Sequence, residues 1–273
     1  MSVADIKYKE LIRKILKEGV WDKDQGVDIR PKYKDGTPAY SKKIFGHQVT
    51  FEKGEVPIVT SSKVFTKTAI KEMLLFWVHQ TTRKEDFESW NVKIWDEWFT
   101  SEGDLGGAYA GQFQKGNRNQ VDELISEIKN NSQSRRLMTC FWDYENAPKK
   151  ALQECCWFTQ WNVQNGQLDL LIHSRSLDVG LGNKFNWCQY YMLQCLVAQV
   201  TGLDVGKFVH QIGNAHIYDR HIDTLKKQLD MPEFEQPSVV INKDLKNLRD
   251  TKISDIEIVG YKSGDVLNME VAI

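Results

Sequence analysis

Two short segments carry side chains that together are capable of nucleophilic chemistry. Cys155 lies in an apolar stretch, and Arg175 with Ser176 follows about twenty residues later. The thiolate is the reactive form of cysteine, and a nearby cation lowers the pKa of the thiol. Cys155 and Arg175 are therefore a candidate nucleophile and its activating group. The alternative is that Cys155 and Cys156 are two small buried residues of a strand.

The sequence between these segments predicts the element that brings them together. Asn165-Gly166 separates two arms rich in aromatic and branched residues, which is a strong signal for a β-hairpin. The register of a two-residue turn, carried back along the arms, places Cys155 opposite Ser176. Successive strand residues face opposite ways. In this register, therefore, Arg175 points away from Cys155. A β-bulge or the twist of the sheet must then bring the guanidinium round.

Glu72 is a candidate general acid or base. It lies in the strongly apolar segment 68–80, whose composition predicts a helix. A carboxyl that faces apolar neighbours has a raised pKa, which suits proton transfer near neutral pH. The alternative is an ion pair with Lys67 or Lys71 at the edge of the helix.

Four other features allow two interpretations each. Trp95 and Trp98 have helical spacing, which is typical of core packing or of a platform for a flat heterocycle. Adjacent Arg135 and Arg136 indicate either solvated surface or a bidentate anion clamp. Asn186 is either a helix cap or an amide that reads a base edge. Arg30, in the polar segment 21–41, either belongs to a surface loop or contacts an anion.

The elements that must position these side chains follow from periodicity and from turn signals. Helices are predicted over 8–17, 68–80, 121–130 and 186–201, and strands over 43–51, 56–60, 137–142, 157–164, 167–174, 208–212 and 239–241. The segment 178–186 is predicted to be a loop. The apolar C-terminal residues 269–273 are expected to dock on the protein. No repeat or linker interrupts the chain, which favours one domain over residues 1–273.

Length, charge and cysteine usage exclude several classes of protein. The chain has 273 residues, which is enough for a large core, and a net charge of −1, which gives no overall basic field for nucleic acid. Its five cysteines have no framework spacing, so free thiols in a reducing compartment are expected. No signal-peptide core and no membrane-spanning apolar run is present, which favours a cytoplasmic protein. No metal site is expected.

Several independent motifs, taken in order, carry a resemblance to a known family. They are Ile94-Trp95-Asp96-Glu97-Trp98, Ser134-Arg135-Arg136, Cys155 followed by Gln160, Arg175-Ser176-x-Asp178, Leu181-Gly182-x-x-Phe185-Asn186, His216-x-Tyr218 and the terminal Val271-Ala272-Ile273. With them the chain resembles, from end to end, the folate-dependent thymidylate synthases. The loop from Asp28 to Ala39 and the pattern Gly-x-x-His-x-Tyr-x-Arg-His are similar to the divergent branch of some Gram-positive bacteria and their phages.

The resemblance implies a fold, an activity and a partner. The implied fold is α+β, with a large mixed sheet that is flanked by helices and whose face forms a dimer interface. The implied activity is reductive methylation of dUMP to dTMP, with 5,10-methylenetetrahydrofolate as donor of both the one-carbon unit and the hydride. Cys155 would form a covalent bond to C6 of dUMP. The implied partner is a second copy of the chain, which would contribute Arg135 and Arg136 across the interface.

The resemblance also implies roles for individual residues. Glu72 would handle proton transfer, with Tyr109 and His216 in the polar network around base and sugar, and Asn186 would read the O4/N3 edge of uracil. The residues implied for the phosphate and the ribose are Arg30, Arg135, Arg136, Arg175, Ser176, His216 and Tyr218. The residues implied for the folate are Lys63, Ile94, Trp95, Trp98, Leu152, Asp178, Leu181, Gly182, Phe185 and Ala272.

The chain departs from the family pattern at a few positions, which keeps related activities open. These positions are Val64, Gln153, Glu154, Cys156, Lys184 and Asn214. Glu154 would raise the pKa of Cys155 if it faced the same site, and strand alternation predicts that it does not. The alternatives are a dUMP hydroxymethylase, and a non-catalytic nucleotide- or RNA-binding relative. Trp95 and the intact terminus at 271–273 favour the synthase, because both would exclude water from the reacting carbon.

Overall fold

A computed structural model describes residues 2–26, 29, 31–146, 150 and 152–273. In this part of the chain a six-stranded sheet has the spatial order β1-β2-β8-β7-β6-β5. Its strands are β1 (Val20–Trp21), β2 (Ser41–Phe51), β5 (Met138–Cys140), β6 (Cys156–Gln164), β7 (Gln167–Asp178) and β8 (Asp204–Tyr218). Two small hairpins complete the strands, β3 (Gln114–Lys115) with β4 (Arg118–Asn119), and β9 (Ser238–Ile241) with β10 (Ile256–Val259).

The sheet is mixed, as the α+β expectation requires. β7 and β8 are parallel, whereas the other neighbouring pairs of the sheet are antiparallel. A parallel pair needs a crossover connection, and α5 (Gly182–Thr201) supplies it. Gly202 ends that helix in the left-handed conformation, with φ at 72°, which glycine adopts without steric cost. This crossover places the start of α5 beside the end of β7.

Helices cover the sheet and enclose the core. They are α1 (Val3–Glu18), α2 (Thr66–Met73), α3 (Lys84–Ser89), α4 (Gln120–Asn130), α5 and α6 (Ile222–Leu229), and a π-helical segment (Leu74–His79) continues α2. α5 is buried along most of its length and packs against both α2 and the sheet. Nowhere in the described ranges is a helix long and apolar enough to cross a membrane.

The hairpin formed by β6 and β7 contains the predicted turn and the predicted bulge. Gln164 pairs with Gln167, but the register shifts by one residue between Cys156 and Phe158. The shift corrects the expected pairing of Cys155 with Ser176, because the N–H of Arg175 donates to the Cys155 carbonyl at 2.9 Å. The bulge therefore brings Arg175, rather than Ser176, beside the candidate nucleophile.

Three other predictions of local structure were wrong. Residues 56–60 form no strand, since the Asp5 carboxylate accepts hydrogen bonds from the N–H groups of Thr60 and Ser61, each at 2.7 Å. The predicted start of α5 at residue 186 was four residues late, because the helix begins at Gly182, and the alternative in which Asn186 caps it is thereby excluded. The Asp178 carboxylate accepts the N–H of Gly180 in the preceding turn. Trp95 and Trp98 lie in turns rather than in a helix.

The C-terminus docks on the protein, as predicted, but through hydrogen bonds and ion pairs, because Val271 and Ile273 stay about half exposed. Ile273 exchanges two backbone hydrogen bonds with Lys32, at 2.7 and 2.8 Å. Arg220 also holds the tail, because its guanidinium binds the Glu270 carboxylate at 2.7 Å and the Asp35 carboxylate at 2.8 Å. The loop around Lys32 and the tail are thereby linked to the segment that follows β8.

Candidate active site

A cavity of about 180 Å³ lies between α2, α5 and the loops around Trp95 and Tyr109. Eight of the residues singled out from the sequence line it, namely Glu72, Ile94, Trp95, Trp98, Tyr109, Leu152, Phe185 and Asn186. The other lining residues are Phe76, Trp77, Phe113, Phe141, Cys156, Gln189 and Tyr190. Its walls are largely aromatic, with a carboxyl and two amides among them, so it suits flat heterocycles that carry polar edges.

Glu72 is buried in the wall of this cavity. Its carboxylate accepts hydrogen bonds from the Trp95 indole N–H and, at 2.7 Å, from the Gln189 amide. Burial raises the pKa of Glu72 to about 7, against the opposing effect of these two hydrogen bonds. The alternative ion pair with Lys67 or Lys71 is not found among the described residues, where Glu72 binds Trp95 and Gln189 and the Lys71 ammonium donates to the Trp90 carbonyl. Glu72 can therefore exchange a proton near neutral pH.

Cys155 is partly exposed and adjoins the cavity through Tyr109. The Cys155 N–H donates to the Tyr109 hydroxyl at 3.1 Å. Tyr109 itself has a φ of 48°, a left-handed conformation that bulky residues rarely adopt and that costs roughly 1–3 kcal/mol. Such strain is typical of functional sites, and here it aims the phenol at the backbone of the candidate nucleophile.

The guanidinium of Arg175 is held directly behind Cys155. It donates from Nε to the Glu154 carbonyl and from Nη2 to the Gln153 carbonyl, both at 2.9 Å. Burial nevertheless raises the pKa of Cys155, and the opposing charge of Arg175 does not cancel that effect. Arg175 does act to lower the pKa of Cys155, but the expected net lowering of that pKa was wrong. Desolvation outweighs a single cation that is already shared with two carbonyls.

Glu154 lies in a buried ion pair. It precedes β6, so strand alternation does not apply to it, and its charge still raises the pKa of Cys155, against the expectation from the sequence. Its carboxylate lies 2.6 Å from the Lys150 ammonium, and both side chains are almost completely buried. The Tyr109 N–H also donates to this carboxylate, at 3.3 Å. Lys150 therefore balances a negative charge that would otherwise raise the pKa of Cys155 further.

Cys156 faces the cavity but is the less reactive thiol. It is 2% exposed, and burial raises its pKa to about 12 although Tyr190 and Ser174 bind the sulfur. A thiol with that pKa is almost entirely protonated at neutral pH. Of the two adjacent cysteines, Cys155 is therefore the candidate nucleophile.

A second polar cluster lies where β7 ends and α5 begins. Asp178 pairs in register with His216 on β8, and its carboxylate lies 3.7 Å from His221. Burial would raise the pKa of Asp178, but the nearby His221 and His216 rings and the Leu181 N–H outweigh it, so the pKa is lowered. Burial lowers the pKa of His216, and its ring contacts Tyr218. The cluster presents a carboxylate acceptor beside Leu181 and Gly182.

Other predicted residues lie apart from the cavity. Arg135 is in a groove on the sheet with Trp161, and Arg136 is in another beside α4. Both arginines are exposed, and neither has an ion-pair partner within the described ranges. The remaining residues are Ser176, which pairs with Asn214 on β8, the exposed Lys63, the half-buried Ala272, and Arg30, which falls outside the described residues.

Sequence reasoning gave no role to two polar residues near these sites. Gln189 binds Glu72, and its position three residues after Asn186, on the same helical face, was an available signal. Lys184 is buried, donates to Ser62 at 2.9 Å, and has its pKa lowered by burial to about 8. Nothing in the local pattern indicated that this lysine would point inward.

The whole chain is similar to proteins of one kind. A family model described as "Thymidylate synthase" matches residues 6–273. The thymidylate synthase of Bacillus mojavensis and thymidylate synthase 1 of Bacillus subtilis (strain 168) are each 41% identical over 281 aligned residues, covering all of both chains. The thymidylate synthase of Bacillus phage phi3T is 40% identical over the same span. The solved structure of thermostable thymidylate synthase A from Bacillus subtilis has a TM-score of 0.93, with 40% identity and 99% of each chain covered.

Proposed function

The chain belongs to the thymidylate synthase family of methyltransferases, and from this premise we propose that it converts dUMP to dTMP with 5,10-methylenetetrahydrofolate. The observation that carries the proposal is the joint placement of Glu72, Tyr109 and the Cys155 segment around one aromatic cavity. The members of this set, unlike a lone cysteine, supply a nucleophile, a titratable carboxyl and a flat binding surface together.

Cys155 is the proposed nucleophile. Addition of its sulfur to C6 of the pyrimidine gives C5 the electron pair that attacks the one-carbon unit. The sulfur leaves again once the product has formed, so no net bond to the protein remains. Because burial raises the pKa of Cys155, the arginines that bind the substrate phosphate are proposed to favour the thiolate during the reaction. Arg175, whose charge acts to lower the pKa of Cys155, is one of these arginines.

Glu72 is the proposed proton carrier. The proton on C5 must leave before the methyl group is complete, and a carboxyl with a pKa of about 7 accepts and returns protons at neutral pH. Its carboxyl lies in the wall of the same cavity as Asn186. The Asn186 amide offers one donor and one acceptor, which fits the O4/N3 edge of uracil.

The folate supplies the one-carbon unit and the hydride, and leaves as dihydrofolate. The residues present suit it, because Ile94, Trp95 and Trp98 form an apolar wall of the cavity. Asp178 provides a carboxylate acceptor for the amino and N–H groups of a pterin. The other proposed contacts are Lys63, Leu152, Leu181, Gly182, Phe185 and Ala272. Trp95 is 7% exposed, so it shields the reacting carbon from water.

One assay tests this function. The protein is incubated with dUMP and 5,10-methylenetetrahydrofolate, dihydrofolate is followed by absorbance, and the nucleotide product is identified by mass. The proposal predicts dihydrofolate and dTMP in equal amounts. Hydroxymethyl-dUMP without dihydrofolate would instead indicate the hydroxymethylase, and no product would indicate a binding protein.

The phosphate site is proposed to be completed by a second copy of the chain. Arg135 and Arg136 lie away from the cavity of their own protomer and are exposed, whereas Arg175 and Ser176 are on β7 close to Cys155. Guanidinium groups form strong bidentate bonds with phosphate. A homodimer that pairs sheet faces would bring the two exposed arginines to the partner's site.

Mixed dimers test the exchange of arginines. Cys155→Ala and Arg136→Ala are each expected to lower turnover strongly when assayed alone. Unfolding and refolding the two variants together creates dimers in which one site has both Cys155 and the partner's intact arginine. Random pairing then predicts about one quarter of wild-type activity. No recovery in the mixture would show that Arg136 acts within its own protomer.

A further inference from the structure

Two neutral donors hold the Glu72 carboxylate, one from each side of the cavity. The Trp95 indole reaches one carboxylate oxygen, Oε1, from the loop after α3. Gln189 on α5 reaches the other, Oε2, with its amide Nε2 at 2.7 Å. These are the hydrogen bonds that the carboxylate receives within the described part of the chain. Each oxygen thus has one fixed donor, and the carboxyl has little freedom to rotate.

Gln189 is placed to act on the reaction through Glu72. It is 6% exposed and lies on the second turn of α5 that faces the cavity, three residues after Asn186. Its hydrogen bond to an ionised acceptor is stronger than a bond between two neutral groups.

We propose that Gln189 is a positioning residue that fixes the Glu72 carboxyl and sets the pH at which that carboxyl exchanges its proton during turnover. The inference deepens the proposed function and rests on it, because it takes Glu72 as the proton carrier. Gln189 stabilises the ionised form of Glu72 by donating to it. The Trp95 indole acts in the same direction from the opposite side.

The other titratable groups around Glu72 do not change charge near neutral pH. Tyr109, from the turn at Tyr109–Gln112, and Tyr190, from α5, have their pKa values raised well above 10 by burial. Cys156, from β6, has its pKa raised to about 12. Cys155, whose pKa is also raised, lies beyond Tyr109. Among the described residues that line the cavity, Glu72 is therefore the group that titrates at about pH 7.

The sign of the effect follows from which form the amide prefers. Without the Gln189 donor, burial raises the pKa of Glu72 with less opposition, so its titration midpoint moves upward. One hydrogen bond to a charged group corresponds to about one pH unit. At pH 7 the ionised fraction of Glu72 would fall from about one half to about one tenth, a roughly fivefold loss. Above about pH 9 the loss would disappear.

Gln189→Met is the variant that tests this. Methionine matches glutamine in length and lacks the donor. Infrared difference spectra follow the carbonyl stretch of protonated carboxylic acids from pH 5 to 9, and the band that disappears in Glu72→Gln is assigned to Glu72. This readout needs no turnover, so it tests Gln189 even if the proposed synthase reaction fails. The dihydrofolate assay over the same pH range then supplies the kinetic profile.

Gln199→Met is the matched control, because Gln199 lies on the same helix and donates to the Lys243 and Leu245 carbonyls away from the cavity. The proposal predicts a midpoint about one unit higher in Gln189→Met, with the acidic limb of turnover moving by the same amount and no change in Gln199→Met. An unchanged midpoint in Gln189→Met would overturn the proposal, whatever its effect on rate.

A second variant distinguishes loss of the hydrogen-bond donor from a general loss of packing around Glu72. Gln189→Glu keeps the shape and replaces the donor with a second carboxyl beside Glu72. Two carboxyls within hydrogen-bond distance share one proton and titrate in two steps, so the upper step must lie above the midpoint of Gln189→Met. A midpoint that stays at the wild-type value in this variant would also contradict the proposed role of Gln189.

Discussion

Replacing Lys150 with methionine tests the electrostatics directly behind the nucleophile. The change removes the ammonium and keeps most of the volume of the side chain. Lys150 and Glu154 are about 1% and 0% exposed at their side chains, with 2.6 Å between Nζ and Oε1. The next carboxylate, Asp143, is 3.7 Å from the same ammonium. Without Lys150, the buried Glu154 carboxylate retains the long hydrogen bond from the Tyr109 N–H, which does not replace a cation.

The expected cost is large because the partner charge stays buried. Removing one member of a buried ion pair destabilises a protein by about 3–5 kcal/mol, since the other charge is left uncompensated. Replacing both members costs less, so Lys150→Met with Glu154→Gln should recover much of the loss. The single variant should also slow the alkylation of Cys155 at fixed pH, because the Glu154 charge raises the pKa of that thiol.

Urea unfolding at a fixed protomer concentration measures the change in the free energy of unfolding. Lys84→Met is the matched control, because its ion pair with Glu88 spans 3.7 Å with side chains 47% and 62% exposed. Exposed pairs of this kind contribute roughly 0–1 kcal/mol. If Lys150→Met and Lys84→Met cost the same, the buried pair does not stabilise the segment that carries Cys155, and the reasoning is refuted.

Two further predictions concern Glu72 and the C-terminal tail. The pKa of Glu72 is about 7 in the folded protein against 4.5 for a free side chain, so the folded state binds the extra proton and stability falls as pH rises between these values. Glu72→Gln should therefore gain about 3 kcal/mol relative to wild type between pH 4 and pH 8, and an equal effect at both pH values in urea titrations would contradict this. Arg220→Met removes the cation that binds Glu270 and Asp35, so global stability should change by about 1 kcal/mol or less while carboxypeptidase releases Ile273 faster. A release rate equal to wild type would show that Arg220 does not hold the tail.

The hairpin illustrates how far local sequence rules extend. Asn165-Gly166 predicted the turn, and parity along the arms required a bulge or the twist of the sheet to bring Arg175 to Cys155; the structure contains the bulge. The position of the bulge depends on how β6 packs against its other neighbours. That information is not local, so the expected partner, Ser176, was wrong by one residue.

Charge states depended on geometry that the sequence does not contain. Burial of Glu72 was predictable because the residues one turn away are apolar, and its raised pKa follows. The pKa of Cys155 was not predictable, since it depends on a balance between desolvation and a guanidinium already bound by two carbonyls. Gln189 was overlooked because a glutamine in a buried helix indicates no particular partner until the facing helix is placed.

The central claim is that the sulfur of Cys155 is the nucleophile. The most direct measurement compares Cys155→Ala with Cys156→Ala in the dihydrofolate assay, with folding of both variants checked by thermal unfolding. The two thiols are adjacent in sequence, so each variant controls for the other. We expect Cys155→Ala to abolish turnover and Cys156→Ala to retain most of it. Turnover that survives in Cys155→Ala and is lost in Cys156→Ala would contradict the account.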